Sequence, residues 1–177
     1  MKNTATDFDV LIVGAGISGI GMAAHMKDKA PGHSFAIVER RDNLGGTWDL
    51  FRYPGIRSDS DMHTLGYVFK PWTKAKAIAD GPSIRDYVNE TADEHGVRDR
   101  IRFGHKVVSA DWSSETARWT VTMLHDGEER QISCAFLFMN SGYYNYNQGY
   151  RPEFPGEDAY EGRFVHPQHW PEDLDYS

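Results

Sequence analysis

The chain has 177 residues, 40% of them hydrophobic, which is enough for one domain with a sizeable core. Its 19 basic and 26 acidic residues leave a formal net charge of −7, arguing against a nucleic-acid-binding face. No apolar run approaches the ~20 residues that a bilayer span needs, and residues 1–8 are polar, without the pattern of a secretory leader. The expectation is a soluble, cytoplasmic protein.

Residues 8–13 form a short apolar run ending at glycine, the pattern of a buried parallel strand. Residues 17–29 carry Ile20, Ala23, Ala24 and Met26 at near-helical spacing, and Pro31-Gly32 ends the helix. Residues 34–38 read as a second strand closing at Glu39, completing a βαβ unit with a right-handed crossover. Between residues 40 and 82 only a short helix is expected, from Ser60 to about Phe69. Ser83 reads as an N-cap with Asp86 three residues on, and Ile84, Tyr87, Val88 and Ala92 make a helical face that stops at Gly96.

Residues 101–103, 106–112, 119–124 and 131–139 alternate or run apolar and are parted by Ser113-Ser114 and Asp126-Gly127. The middle strands predict a β-meander, and the last a return to the parallel sheet. Cys134, the only cysteine, rules out an internal disulfide; in its apolar run it reads as a buried structural thiol rather than a nucleophile. Residues 143–160, rich in Tyr, Asn, Pro and Gly, look like a linker. Aromatics crowd residues 48–53, 67–72 and 143–150, either lining an interface or planar-ligand pocket or merely packing irregular chain.

Gly14-Ala-Gly16-Ile-Ser18-Gly19 lies between the first strand and the first helix. Gly14 permits the tight turn, Gly16 lets backbone approach a pyrophosphate, and Gly19 lets helix and strand pack closely, with the phosphates at the helix N-terminus. Ser18 adds a hydroxyl for a phosphate, or simply starts the helix. Glu39, twenty residues beyond Gly19, is placed to accept hydrogen bonds from adenosine ribose hydroxyls and to repel a 2′-phosphate. Arg40 and Arg41 read as a solvated turn. FAD and NAD both satisfy this pattern.

Two further stretches decide between them. Gly45-Gly46-Thr47-Trp48, four residues, Tyr53-Pro54-Gly55, three residues and Asp59 form one fingerprint. Tyr160-x-Gly162-x-x-x-His166-x-x-x-Trp170-Pro171 forms a second. In this order after a dinucleotide fold, they resemble the fingerprints of type I Baeyer–Villiger flavin monooxygenases; Tyr160 stands where phenylalanine is usual. Pro167 breaks the helix that would align His166 with His169, so no metal site is read there, and His166 is taken as a conformational or structural residue.

The resemblance implies an α/β, Rossmann-like FAD-binding fold with a parallel sheet plus a small β-meander, incomplete relative to the family's two dinucleotide domains. Residues 1–142 would be the N-terminal portion of the FAD domain, and 143–177 a linker towards an absent NADPH-binding domain. It implies FAD as cofactor, NADPH as co-substrate with its main site outside this chain, O2, and a ketone or a sulfur-containing small molecule as substrate. Hydride passes from NADPH to FAD, and oxygen added to the reduced flavin attacks the substrate. Gly46, Thr47, Trp48, Asp49 and Leu50 would lie against the flavin, Val107 would hold the adenine through its backbone, and Arg57, Ser58 and Asp59 would face the nicotinamide. Asp59 is the one side chain assigned to the chemistry, paired with an arginine from outside the chain. Val107 also reads as an ordinary strand residue, and Asp59 as a helix cap. Such a piece is expected to be inactive alone. Two other readings stand beside it: a non-catalytic FAD- or nucleotide-binding module, and a small NAD-dependent dehydrogenase, which is disfavoured because no Tyr-x-x-x-Lys pair follows a suitable strand.

Overall fold

The computed structural model describes residues 6–175. Ten elements follow in order: β1 (Thr6–Val13), α1 (Ile17–Lys29), β2 (Phe35–Val38), α2 (Thr47–Leu50), α3 (Met62–Leu65), α4 (Gly81–Glu94), β3 (Ile101–Arg102), β4 (Lys106–Ser113), β5 (Arg118–His125) and β6 (Glu128–Met139). The strands make one six-stranded sheet in the order β3-β2-β1-β6-β5-β4. The four from β3 to β6 are parallel, and β6-β5-β4 are antiparallel.

Why β1 and β2 read as unbroken apolar runs is plain from their two faces. Val10, Ile12, Phe35 and Ile37 pack against Ile20, Ala23 and Met26 of α1 and Ile84, Val88 and Ala92 of α4. Leu11, Val13, Ala36 and Val38 pack on the other side against Val121, Met123, Ile132 and Cys134. The sheet therefore curls until its antiparallel end covers one face of its parallel end, and strands buried on both faces cannot alternate. Cys134 is fully buried there, and burial pushes its thiol pKa up. Among the described residues no helix is long and apolar enough to cross a membrane.

The β4-β5-β6 meander and the return of its last strand to the parallel sheet are as expected, but four details need correction. β6 starts at Glu128, not 131, and its residues 132–134 pair with β1 on one edge and β5 on the other. Its exposed first half, Glu128-Glu-Arg-Gln131, offers no apolar alternation. Asp126-Gly127, both at positive φ (51° and 78°), supply the two-residue turn that sets the pairing.

The helix expected from Ser60 to Phe69 is a single turn, because the backbone N–H of Tyr67 is taken by the Tyr87 hydroxyl at 2.8 Å rather than by a helical carbonyl. Its cap is Asp61, whose Oδ1 accepts from Thr64 N at 2.9 Å, so Asp59 is not a cap. Likewise Asp80, not Ser83, caps α4: its Oδ1 accepts from Ser83 N at 2.9 Å. Pro82 is tolerated in the first turn, where no N–H is required.

Tyr67 ties the 62–72 loop to the core. Its hydroxyl donates to the Ile17 carbonyl at 2.5 Å, and its ring lies where a side chain on Gly21 of α1 would sit. The N-terminal turn of α1 is thereby pinned from outside the βαβ unit.

Candidate functional site: a dinucleotide cleft at the carboxyl edge of the sheet

β1 and β6 are parallel neighbours, so both end at the same edge, where open α/β sheets bind ligands. Between β1 and α1, Gly14 adopts φ +104°, and a Cβ there would lie 2.4 Å from the Asn140 carbonyl oxygen. A Cβ on Gly19 would lie 1.8 Å from the Gly14 carbonyl oxygen. Helix, loop and both strand ends thus meet backbone to backbone. Gly16 differs: its φ and ψ (−78°, −171°) suit any residue, and a Cβ would meet only Gly46 Cα, at 3.5 Å. The protein's own packing does not require glycine at 16, which opens onto the cleft. As N-cap of α1, Gly16 has no side chain to cap the first-turn amides, which stay available for an anion.

Glu39 is only 6% exposed. Its Oε2 accepts from Ala15 N at 2.8 Å and its Oε1 from Arg41 N at 2.9 Å. The carboxylate locks the glycine-rich loop to the end of β2, and retains lone pairs for further donors.

These groups open onto a cleft of about 930 Å³, ample for a cofactor-sized ligand. Of the residues expected to bind cofactor, Gly14, Gly16, Ser18, Glu39, Gly46, Thr47, Trp48 and Val107 line it, with Gly19 directly behind the loop. Val107 stands beside a β-bulge in β4 and lines the cleft with His105 and Lys106.

Asp49, Leu50, Arg57, Ser58 and Asp59 are not in its lining. Asp49 is buried on the far side of α2, accepting from Arg41 Nη2 at 2.7 Å and Arg52 Nη2 at 3.2 Å. Arg41 is therefore a structural cation and not part of a solvated turn. Ser58 is buried and binds locally, its Oγ accepting from Ser60 N at 3.1 Å. Arg57 is exposed and bridges to Asp80 through backbone. Asp59 is exposed, near the cleft rim: the Tyr144 hydroxyl is held above its ordinary pKa by its hydrogen bond to Tyr143, by burial and, less strongly, by the Asp59 charge. Tyr144 lines the cleft.

Several lining residues carried no sequence signal of their own, namely Arg40, Asn140 and Ser141, while the aromatics of 143–147 fit the planar-ligand alternative of their crowded stretch. The clue was topological, since a parallel strand beside β1 must deliver its following loop to the same edge. Asn140 is the most telling. Its N–H donates to Val13 O at 2.8 Å, and its Nδ2 is buried without a partner among the described residues. A buried amide donor without an acceptor is costly, and a polar ligand in the cleft would satisfy it.

The second fingerprint is a packed turn. His166 caps a short turn at Pro167–His169, with Nδ1 accepting from Gln168 N at 3.2 Å, and its ring covers Gly149. Gln168 is buried and donates from Nε2 to Asn145 O at 3.0 Å, fastening this turn to the cleft segment.

Comparison with known proteins agrees with this geometry. Residues 12–89 match the NAD(P)-binding Rossmann-like domain. Over 170 residues the chain is 64% identical to FAD-containing monooxygenase EthA of Mycolicibacterium smegmatis, covering 96% of this chain and 35% of that protein. It is 58% identical to the putative FAD-containing monooxygenase MymA of Mycobacterium tuberculosis, with the same coverage. Among solved structures, an oxidized steroid monooxygenase bound to NADP superposes with a TM-score of 0.78 at 34% identity, over 95% of this chain and 32% of that one. A cyclohexanone monooxygenase from Rhodococcus bound to NADP+ gives 0.78 at 28% identity, over 97% and 32%. The chain spans about a third of the length of the relatives it matches. Along nearly all of its length it is, in sequence and in fold, the counterpart of one segment of the Baeyer–Villiger class of FAD-containing monooxygenases.

Proposed function

We propose that this chain is the FAD-binding part of a monooxygenase that uses NADPH and O2 to oxygenate a ketone or a sulfur-containing small molecule. On this reading residues 1–142 hold the FAD and residues 143–177 are the linker to the NADPH-binding half. The observation that carries it is the cleft itself: the N-terminus of α1, without a side-chain cap, and Gly16, where packing does not demand glycine, open onto one space, and Asn140, whose buried Nδ2 has no partner among the described residues, is in its lining. A phosphate-bearing dinucleotide accounts for the first two together.

A bound FAD would supply the hydride acceptor and the oxygen-activating centre. The first-turn amides of α1, with Ser18, would hold the pyrophosphate. Glu39 would accept from the adenosine ribose hydroxyls with its spare lone pairs, and the Val107 backbone would bind the adenine. Thr47 and Trp48 would border the flavin ring, while Asp49 and Leu50 support them from behind. Arg57, Ser58 and Asp59 would form the nicotinamide side, with Asp59 at the rim as the charged group of the chemistry. Among the described residues Asp59 makes no ion pair, which suits a residue whose partner is a cation elsewhere in the protein. The test is a titration of the purified chain with FAD, followed by flavin absorbance. Stoichiometric binding in preference to NAD supports the reading, and a preference for NAD sinks it.

A further inference from the structure

The segment after β6 does not simply lead away from the cleft. Tyr146 is half-buried, whereas every other residue from 141 to 148 is exposed. Its ring lies 5.6 Å from the Arg40 guanidinium, a cation–π distance. Arg40 Nη2 also donates to Asn147 Oδ1 at 2.7 Å, across 107 residues of sequence. The Tyr146 hydroxyl points the other way and lies 3.7 Å from where a Cβ on Gly46 would be. Gly46 in turn packs on Gly16, at the centre of the glycine-rich loop.

Tyr146 thus spans from the residue after Glu39, on one side, to Gly46 on the other. We propose that Arg40, Tyr146 and Asn147 form a clasp that straps the 143–147 segment across the dinucleotide cleft, so that FAD enters and leaves only when the clasp opens. This rests on the FAD reading above, and deepens it by naming the residues that set retention.

Three features suit a clasp rather than fixed packing. Its contacts are side-chain contacts between exposed or half-exposed groups, which open at low cost. The chain around it has no regular secondary structure from 140 to 156. Arg40 makes no ion pair among the described residues, so its side chain is committed to the ring and amide of this one segment. Its neighbour Arg41, by contrast, is spent on Asp49.

The test is the rate of FAD release from the purified 177-residue chain, read as flavin fluorescence after dilution, with the association rate measured by stopped flow. Tyr146→Ala should release FAD roughly tenfold faster, with association no slower. Arg40→Ala and Asn147→Ala, at exposed positions that leave the fold untouched, should each speed release a few-fold; Tyr146→Phe, which keeps the ring, should speed it less than Tyr146→Ala. The decisive comparison is the double variant: Arg40→Ala with Tyr146→Ala should release FAD faster than Tyr146→Ala alone only by the share of the Arg40–Asn147 bond, and so less than additively, because the Arg40–Tyr146 contact cannot be broken twice. Unchanged release in all variants, or fully additive effects, overturns the clasp and leaves the FAD site standing. If the unaltered chain binds FAD no better than Gly16→Val does, the FAD reading falls and the clasp with it.

Discussion

The wall of the cleft made by residues 14–19 and the wall made by residues 140–147 stand at the same edge of the sheet, one after β1 and one after its neighbour β6. In the first wall, backbone meets backbone, and Gly14 and Gly19 leave no room for a single carbon. In the second, beyond Asn140, the chain is held by side chains: Arg40 on Tyr146 and Asn147, and Gln168 on Asn145. The first is a rigid cradle whose shape is set by steric exclusion; the second is adjustable, and its stability is a sum of small terms. A site that must both fix a phosphate and admit a cofactor needs one wall of each kind.

The sharpest way to break this comparison is to crowd the rigid wall. Gly19→Val would force a side chain into the Gly14 carbonyl, where the built Cβ is only 1.8 Å from oxygen. A clash with backbone cannot be relieved by a rotamer, so a loss of at least ~3 kcal/mol in stability is expected, read by urea denaturation. A variant of near-normal stability would show that the wall yields.

Gly16→Val should separate the two demands placed on the same loop. Its backbone angles suit valine and its Cβ makes an ordinary contact, so the fold should survive with stability within about 1 kcal/mol. Flavin binding should nevertheless be abolished, because the added carbons occupy the approach of the pyrophosphate. Retained binding in a titration would mean that the ligand lies elsewhere.

Glu39 fastens the rigid wall to the end of β2, and its removal should cost both stability and affinity. Glu39→Ala strands the Ala15 and Arg41 amides that its two oxygens now accept, for a stability loss of about 1–3 kcal/mol. FAD affinity should fall by a similar ~1–3 kcal/mol through lost hydrogen bonds to the ribose. Loss of stability without loss of affinity would assign the acid to the loop alone.

What could be read from the sequence follows the same division. The βαβ unit was legible nearly residue for residue, because Gly14, Gly19 and the apolar runs of β1 and β2 are local consequences of close packing. The 128–131 half of β6 was not, since its strand state comes from the Asp126-Gly127 turn and from pairing with β5, not from apolar alternation. α3 was overestimated because a tyrosine twenty residues away claims the next amide. Within the fingerprint around Trp48, a motif marks a segment and not a face: Thr47 and Trp48 reach the cleft, while Asp49 turns inward to Arg41 and Arg52. Arg40 and Tyr146 were invisible as a pair, being 106 positions apart with no motif between them.

The smallest expected effect lies away from both walls and serves as their control. Asp80 caps α4 by accepting from Ser83 N, and that backbone bond is the main reason its carboxyl is held below the ordinary 3.8. A carboxyl with a depressed folded pKa contributes stability that is complete above its unfolded value and is lost as the pH falls through the folded one. Asp80→Ala should therefore lower stability at pH 7 by about 1 kcal/mol, the usual worth of such a cap. The gap between variant and parent should close as the pH drops below 3.8, where the parent loses the same bond. Urea denaturation at pH 7 and at pH 3 measures both. A gap that persists undiminished at pH 3 would assign the effect to the packing of Asp80 beside Gly81 and Arg57, and not to its charge.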